Sequence, residues 1–404
     1  MSLEQLRRRL YLLSFIDEFG PIYAVYTLWF NDNGVTVAQL SAVFLTWSIV
    51  TIALEIPSGA VADRIDRRYV LAGSFAIRAV GIAVWLIVPS FVGALIGAAL
   101  FAVNTSLASG AWEAHIHDQL THLGASERYP VVMARVMQLG HLGVALASVV
   151  AIGVLAIDGT FLQLGWATVA IHALPIRLVL QLPDVSHISA TEPGDESPLR
   201  RWWTTLGEGI REARASADVM RLTLLGAMVE GLFIFDEYTP LLARDRGASD
   251  ATVPVLVLVV WSGLLIGGEV VARRPAASGS LIGGGLVLAS FVVAFGLVSS
   301  PLWSLALIGV AYAALQANWV VIDARLQERV GPSHRATVTS MKGFGGGLIS
   351  GLAFIGIGFA TTPGGDSRPG LYVALAVLGL IGVLAFAWIP PRRPAVTSAS
   401  EDRS

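Results

Sequence analysis

The chain has 404 residues, of which 54% are hydrophobic and 14% charged, with a formal net charge of -2 and no cysteine. A water-soluble domain carries about 25% charged residues, so an ordinary soluble enzyme is excluded. The near-neutral charge, with no basic stretch interleaved with aromatics, gives no groove for nucleic acid, and the absence of cysteine removes disulfides, thiol catalysis and Cys-based metal sites.

Arg7, Arg8 and Arg9 precede an apolar run that imitates a signal peptide, but Asp17-Glu18 interrupts the run and no small-residue cleavage site follows. It reads as a first membrane helix, retained. Apolar segments near 10–30, 39–60, 69–89, 91–113, 130–156, 160–182, 219–242, 251–272, 279–299, 302–325, 336–360 and 370–390 are each of about the length that crosses a bilayer. Twelve crossings leave both termini on one side. The odd-numbered turns carry almost no Arg, the exceptions being Arg244, Arg246 and Arg368, whereas the even-numbered turns and the termini are rich in it. Both termini are therefore expected in the cytoplasm, with the chain multi-pass in the cell membrane.

Between the second and third spans lies EIPSGAVADRIDRR, Glu55 to Arg68. Gly59, Asp63-Arg64 and Arg67-Arg68 at this spacing resemble the signature loop between helices 2 and 3 of the major facilitator superfamily, and Glu55, Pro57 and Gly59 resemble its drug-exporter-like branch. The family usually has Gly where this chain has Asp66; Gly suits a left-handed turn, which Asp also tolerates. Ser109 to Asp118 resembles the end of helix 4 in the same branch, and that resemblance makes Asp118 the partner of Arg64 or Arg68. Gly59, Asp63, Arg64, Arg67, Arg68 and Asp118 would then act as a charged latch that pairs in one state and separates in the other. The fifth span reads Gly140-His141-Leu142-Gly143, without the proline of many exporters.

The expected fold is all-α and integral to the membrane, with twelve transmembrane helices in two pseudo-symmetric six-helix bundles. The first bundle is 1–183. A cytoplasmic linker, 184–217, has a polar start and an amphipathic stretch from Arg200 to Arg214 with Trp202 and Trp203 at the headgroup level. The second bundle is 218–391, and 392–404 form a cytoplasmic tail. The halves repeat: Phe15 to Pro21, FIDEFGP, matches Ile234 to Pro240, IFDEYTP, and Glu55 matches Glu269. Parallel repeats of this kind place a substrate site between the halves near mid-membrane.

The candidate site residues are the acids Asp17, Glu18, Asp236 and Glu237, because a carboxylate in hydrocarbon faces a cavity, pairs with a cation or takes up a proton. Neighbours on a helix point about 100° apart, so one acid of each pair is expected to face the cavity. From the predicted helix starts Asp17 lies roughly 10 Å deep and Asp236 roughly 25 Å, so either one boundary is misplaced or the seventh helix is shorter and broken. Arg78 is too deep to be unpaired, with Glu55 or Glu113 as its expected partner. Glu230 and Glu269 make the interior net acidic, which favours cationic or proton-exchanged substrates.

His115 and His117 diverge on a helix and make no metal site. Gly343 to Gly347 opens no α/β unit and reads as close helix packing. Trp29, Trp47, Trp85, Trp261 and Trp303 read as interfacial anchors, with Trp47 and Trp261 also able to line a cavity. No cofactor is called for. The expectation is proton-coupled transport of a small organic molecule, more in the outward direction, by a chain that can work as a monomer. An importer of a sugar or amine is the alternative of the same fold; a transport-dead receptor or a polytopic membrane enzyme is the alternative of another class.

Overall fold

The computed structural model describes residues 1–183, 216–274, 279–298, 302–330 and 335–361, with isolated positions in 185–214 and 381–390. Within these, the side chains of 55–57, 59–60, 62–64, 110, 293, 296–298, 335–337 and 360 are outside the description. The amphipathic linker helix, the tail and most of the predicted twelfth span fall outside it as well.

The described chain is helical throughout its regular structure: α1 Leu3–Glu18, α2 Tyr26–Asp32, α3 Val37–Arg64, α4 Arg67–Ile87, α5 Phe91–His122, α6 Tyr129–Ala156, α7 Phe161–His172, α8 Leu174–Leu180, α9 Ala217–Glu230, α10 Thr239–Asp245, α11 Val253–Arg273, α12 Gly279–Val298, α13 Ile308–Gln327 and α14 Arg335–Ala360. A polar cap closes the first turn of several helices, and in α1 and α3 the helix starts ahead of its apolar run. Ser2 accepts from the Gln5 amide at 3.3 Å while the Gln5 side chain accepts from the Ser2 amide at 2.9 Å. The same Ser/Thr-x-x-Gln reciprocity starts α3 at Thr36 and α7 at Thr160.

The two spans that carry the acidic pairs are each broken by a 3₁₀ turn. α1 stops at Glu18, and Pro21, which has no N–H to give, opens a 3₁₀ turn over Pro21–Ala24 before α2 resumes. The seventh span likewise stops at Glu230, passes through a 3₁₀ turn at Phe233–Tyr238 and restarts with Pro240 in the first turn of α10. The first helix begins at Leu3 rather than near Leu10, which puts Asp17 deeper than its apolar run implied, and the seventh span is broken as the alternative expected.

Asp66 corrects the expectation of a left-handed turn. Its φ is -50° and ψ 121°, and its carboxylate caps α4 by accepting from the Arg68 amide at 2.9 Å. Asp there makes a good N-cap, so the turn needs no glycine.

Eight helices among the described residues are long and apolar enough to cross a membrane. Their outward faces are apolar, with Phe359 88% and Val131 68% exposed; a surface of this kind is matched by lipid rather than water. One buried cluster, including Leu10, Leu71 and Ile116, joins α1, α4 and α5. The halves meet where α3 packs on α14 and α6 on α11. Within the first half, Gly143 of α6 lets the backbones touch: a Cβ there would lie 2.5 Å from the Phe15 carbonyl of α1.

Candidate functional site

A cavity of about 880 Å³ lies between the two halves. Its walls are aromatic, with Tyr23, Tyr26, Phe44, Trp85, Phe101 and Phe354 among them, and they carry four carboxylates, Glu18, Glu230, Asp236 and Glu237. No Lys, Arg or His lines it among the described residues. Trp47 and Trp261 both reach the cavity, and so does Trp85, which is 6% exposed and an interior ring rather than an interfacial anchor. Trp29 also turns inward, donating to the Trp85 carbonyl at 3.1 Å.

The two members of the first acidic pair have different surroundings. Asp17 turns away from the cavity and pairs with Arg78 at 2.9 Å. Arg78 donates further to the Asp17 carbonyl and to Asn104 Oδ1, each at 2.8 Å, and its guanidinium lies 5.1 Å from the centre of the Phe101 ring. Asn104 is fully buried and passes the network on to the Ser74 carbonyl at 3.0 Å. The expected partners of Arg78 are thus corrected: its carboxylate is Asp17, Glu113 is exposed, and the Glu55 side chain lies outside the described residues. Glu18, one position on, lines the cavity and makes no ion pair with a described residue.

In the second half both acids, carried on the 3₁₀ turn, reach the wall. Glu237 accepts a hydrogen bond from the Tyr26 hydroxyl, a group of the first half. Asp236 makes no ion pair with a described residue.

Polar contacts tie the halves together on the side of the cavity away from the N-terminus. Besides Tyr26 and Glu237, Ser41 Oγ and Tyr238 Oη lie 2.9 Å apart, and Arg244 pairs with Asp32 while its Nη2 reaches Asp250 at 2.8 Å. Phe44 packs against Tyr238 and Phe354, with ring centres 5.7 and 5.2 Å away. In the other direction the cavity continues past Glu230 to Ser58, Ser109 and Ser340, toward the helix ends near the N-terminus.

At that same end Asp118 pairs with Arg67, whereas the resemblance implied Arg64 or Arg68. Arg68 is engaged by Asp66 at 2.5 Å and by the Leu182 carbonyl at 3.0 Å. The side chains of Gly59, Asp63 and Arg64 lie outside the described residues. Glu269 is exposed on α11 and bonded to Arg273 at 2.7 Å, away from the cavity.

Sequence reasoning missed Tyr26, which donates to Glu237, and Asn104, which accepts from Arg78, and it missed another buried cation. Lys342 is 3% exposed, 2.8 Å from Asp323, 3.9 Å from Glu230 and 4.7 Å from the Trp319 ring centre. As the only lysine of the chain, placed in an apolar span, it was the available signal.

The family profile described as Major Facilitator Superfamily matches residues 10–353. The chain belongs to that superfamily. Its fold, two sets of membrane helices around a central cavity, is that of a multi-pass membrane transporter rather than an enzyme. Similar solved structures include nucleoside transporter NupG, at 17% identity over 95% of this chain and 98% of that one, with TM-score 0.70. A D-xylose-proton symporter is similar at 13% identity, 96% and 97% coverage and TM-score 0.73. A bacterial homologue of the iron transporter ferroportin, in an inward-facing state, is similar at 14% identity, 96% and 100% coverage and TM-score 0.73. At these identities the likeness is one of fold. No curated protein matches the sequence.

Proposed function

We propose that this member of the superfamily exports a small organic molecule, cationic by preference, in exchange for protons, by alternating access. The observation that carries the reading is that Glu18 and Asp236, one from each half and neither in an ion pair with a described residue, line one aromatic cavity without basic side chains. A carboxylate in such surroundings costs several kcal/mol unless a cation or a proton offsets it. A cationic substrate and protons would then compete for the same two acids, which is the chemistry of an antiporter. Asp17 is set aside from this role because Arg78 already neutralises it.

The Arg-rich termini and even-numbered turns support a cytoplasmic position for both chain ends, in the cell membrane. On that orientation the cavity reaches toward the cytoplasm, and the Arg67 to Asp118 pair sits at the cytoplasmic surface, where the latch of the drug-exporter-like branch would act. The bundles 1–183 and 218–391 would rock about the site as units, and a cavity built within one chain supports a monomer as the working form.

The test is proton release from purified protein in weakly buffered detergent on adding tetraphenylphosphonium, with glucose as the neutral comparison. The cation releases protons from the parent protein, and Glu18→Gln or Asp236→Asn diminishes the release. Binding of tetraphenylphosphonium without proton release, with both variants unaltered, would sink the antiport reading. Vesicles with an imposed pH gradient give the direction, since an importer fills under the gradient that empties an exporter.

A further inference from the structure

Glu237 is one residue from Asp236, yet it is held by a group of the opposite half. The titratable groups that face it are Tyr26 from α2, Asp236 and Tyr238 from its own turn, and Tyr312 from α13. Tyr238 is occupied with Ser41 at 2.9 Å, and Tyr312 donates to the Phe233 carbonyl at 3.0 Å. No described Lys, Arg or His makes an ion pair with Glu237. Its side-chain hydrogen-bond donor is therefore Tyr26, which belongs to the other half.

Tyr26 is not free to follow Glu237. Its ring is stacked on Trp85, centres 5.3 Å apart and planes 8° apart, and Trp85 is stacked on Phe101 at 5.8 Å and 1°. Phe101 in turn lies under the Arg78 guanidinium that Asp17 holds. This column fixes the hydroxyl to the first half, so separating the halves at this end breaks the bond to Glu237 rather than stretching the column. The Ser41 to Tyr238 bond, one residue on, parts in the same movement.

We propose that Glu237 and Tyr26 form a proton site separate from the cavity acids Glu18 and Asp236, and that they keep the end away from the N-terminus shut only while Glu237 is ionised. A hydroxyl bonded to a carboxylate is roughly twice as strong a link as one between neutral groups. When a proton from water adds to a Glu237 oxygen, the carboxylate becomes a neutral acid, the link to Tyr26 weakens and the halves part there. Closure follows when that proton leaves to water and the carboxylate again accepts from Tyr26. The inference rests on alternating access and not on the cargo, so it stands or falls apart from the cation-exchange test above.

The test needs no substrate. The chain has no cysteine, so Asn33→Cys and Ser249→Cys, exposed on either side of this end, can be spin-labelled in lipid nanodiscs and their separation measured as pH is lowered. In the parent the share of the long, open distance rises about tenfold on acidification, the scale of losing one charge-assisted bond. Glu237→Gln is open at every pH and does not respond. Tyr26→Phe, which keeps the stacked ring without the hydroxyl, behaves the same way, and Glu113→Gln, an exposed acid away from the cavity, responds like the parent. A parental response retained in Glu237→Gln or in Tyr26→Phe overturns the proposal. So does a response lost in Glu18→Gln but kept in Glu237→Gln, which would place the switch on the cavity acids.

Discussion

Asp17→Asn should destabilise the protein strongly, while Glu18→Gln, one residue away, should not. The Asp17 to Arg78 pair is largely buried, with the Arg78 side chain 9% and the Asp17 side chain 21% exposed. Asparagine keeps the shape and an acceptor oxygen, so the substitution removes the countercharge and little else. Breaking a buried pair from one side costs about 3–5 kcal/mol. The bonds from Arg78 to Asn104 and to the backbone carbonyl of residue 17 survive, so the lower end, about 3 kcal/mol, is expected. At about 2–4 °C per kcal/mol for a unit of this size, the unfolding midpoint should fall by about 6–12 °C. Tryptophan fluorescence on heating in detergent reads this directly, given 11 Trp residues. Glu18→Gln should be at least as stable as the parent, because it removes a charge that the cavity disfavours and no contact with a described cation. Adding Arg78→Met to Asp17→Asn should recover part of the loss, since it removes the stranded charge, and the double-mutant cycle gives the coupling. If Asp17→Asn melts with the parent, or if Glu18→Gln is the less stable variant, the assignment of a fixed and a free acid is wrong.

Two further outcomes are expected. Lys342→Met should cost about 3 kcal/mol because it leaves Asp323 and Glu230 facing each other uncompensated, and Lys342→Met with Asp323→Asn should cost less, both read from the same melting curves. Gly143→Val should cost at least about 1–3 kcal/mol, because its Cβ would meet the Phe15 carbonyl 2.5 Å away; an unchanged midpoint would mean that α1 and α6 can separate freely.

Hydropathy made the spans legible because each apolar run is about as long as a bilayer is thick, but it is blind to helix that continues into water. α5 runs on to His122 instead of ending near Glu113, and α1 starts at Leu3 instead of near Leu10. That second error also hid the partner of Arg78. Counted from Leu3, Asp17 is about 21 Å along its helix, and Arg78 is about 17 Å along α4 from Arg67. The two are therefore level, whereas a start at Leu10 left Asp17 too shallow. The charged loop was visible in the sequence, but which arginine meets Asp118 depends on rotation about α4. Capping by Asp66 fixes that rotation and turns Arg68 onto itself and the Leu182 carbonyl. Tyr26 carried no signal, being one aromatic among many in an apolar run until the opposite half supplies its acceptor.

The repeat around the acids explains why one motif can hold different tasks. Both copies read Asp-Glu-aromatic after one Ile and one Phe, with a proline two residues later, yet in the first copy α-helix persists through Glu18, while in the second the acids sit within a 3₁₀ turn. In the first, a rotation of about 100° per residue sends Asp17 to Arg78 and leaves Glu18 on the cavity wall. In the second, the 3₁₀ turn holds Asp236 and Glu237 both at the wall, with no described basic side chain in an ion pair with either. The first copy thus places one acid of its pair in the cavity and the second places both, of which one is bonded across the interface. A symmetric pair of acids would give each half the same response to a proton. The unequal backbone instead lets one carboxylate of the second half meet cargo while its neighbour meets Tyr26, so occupancy of the cavity and closure of its far end can be governed by adjacent residues of one turn.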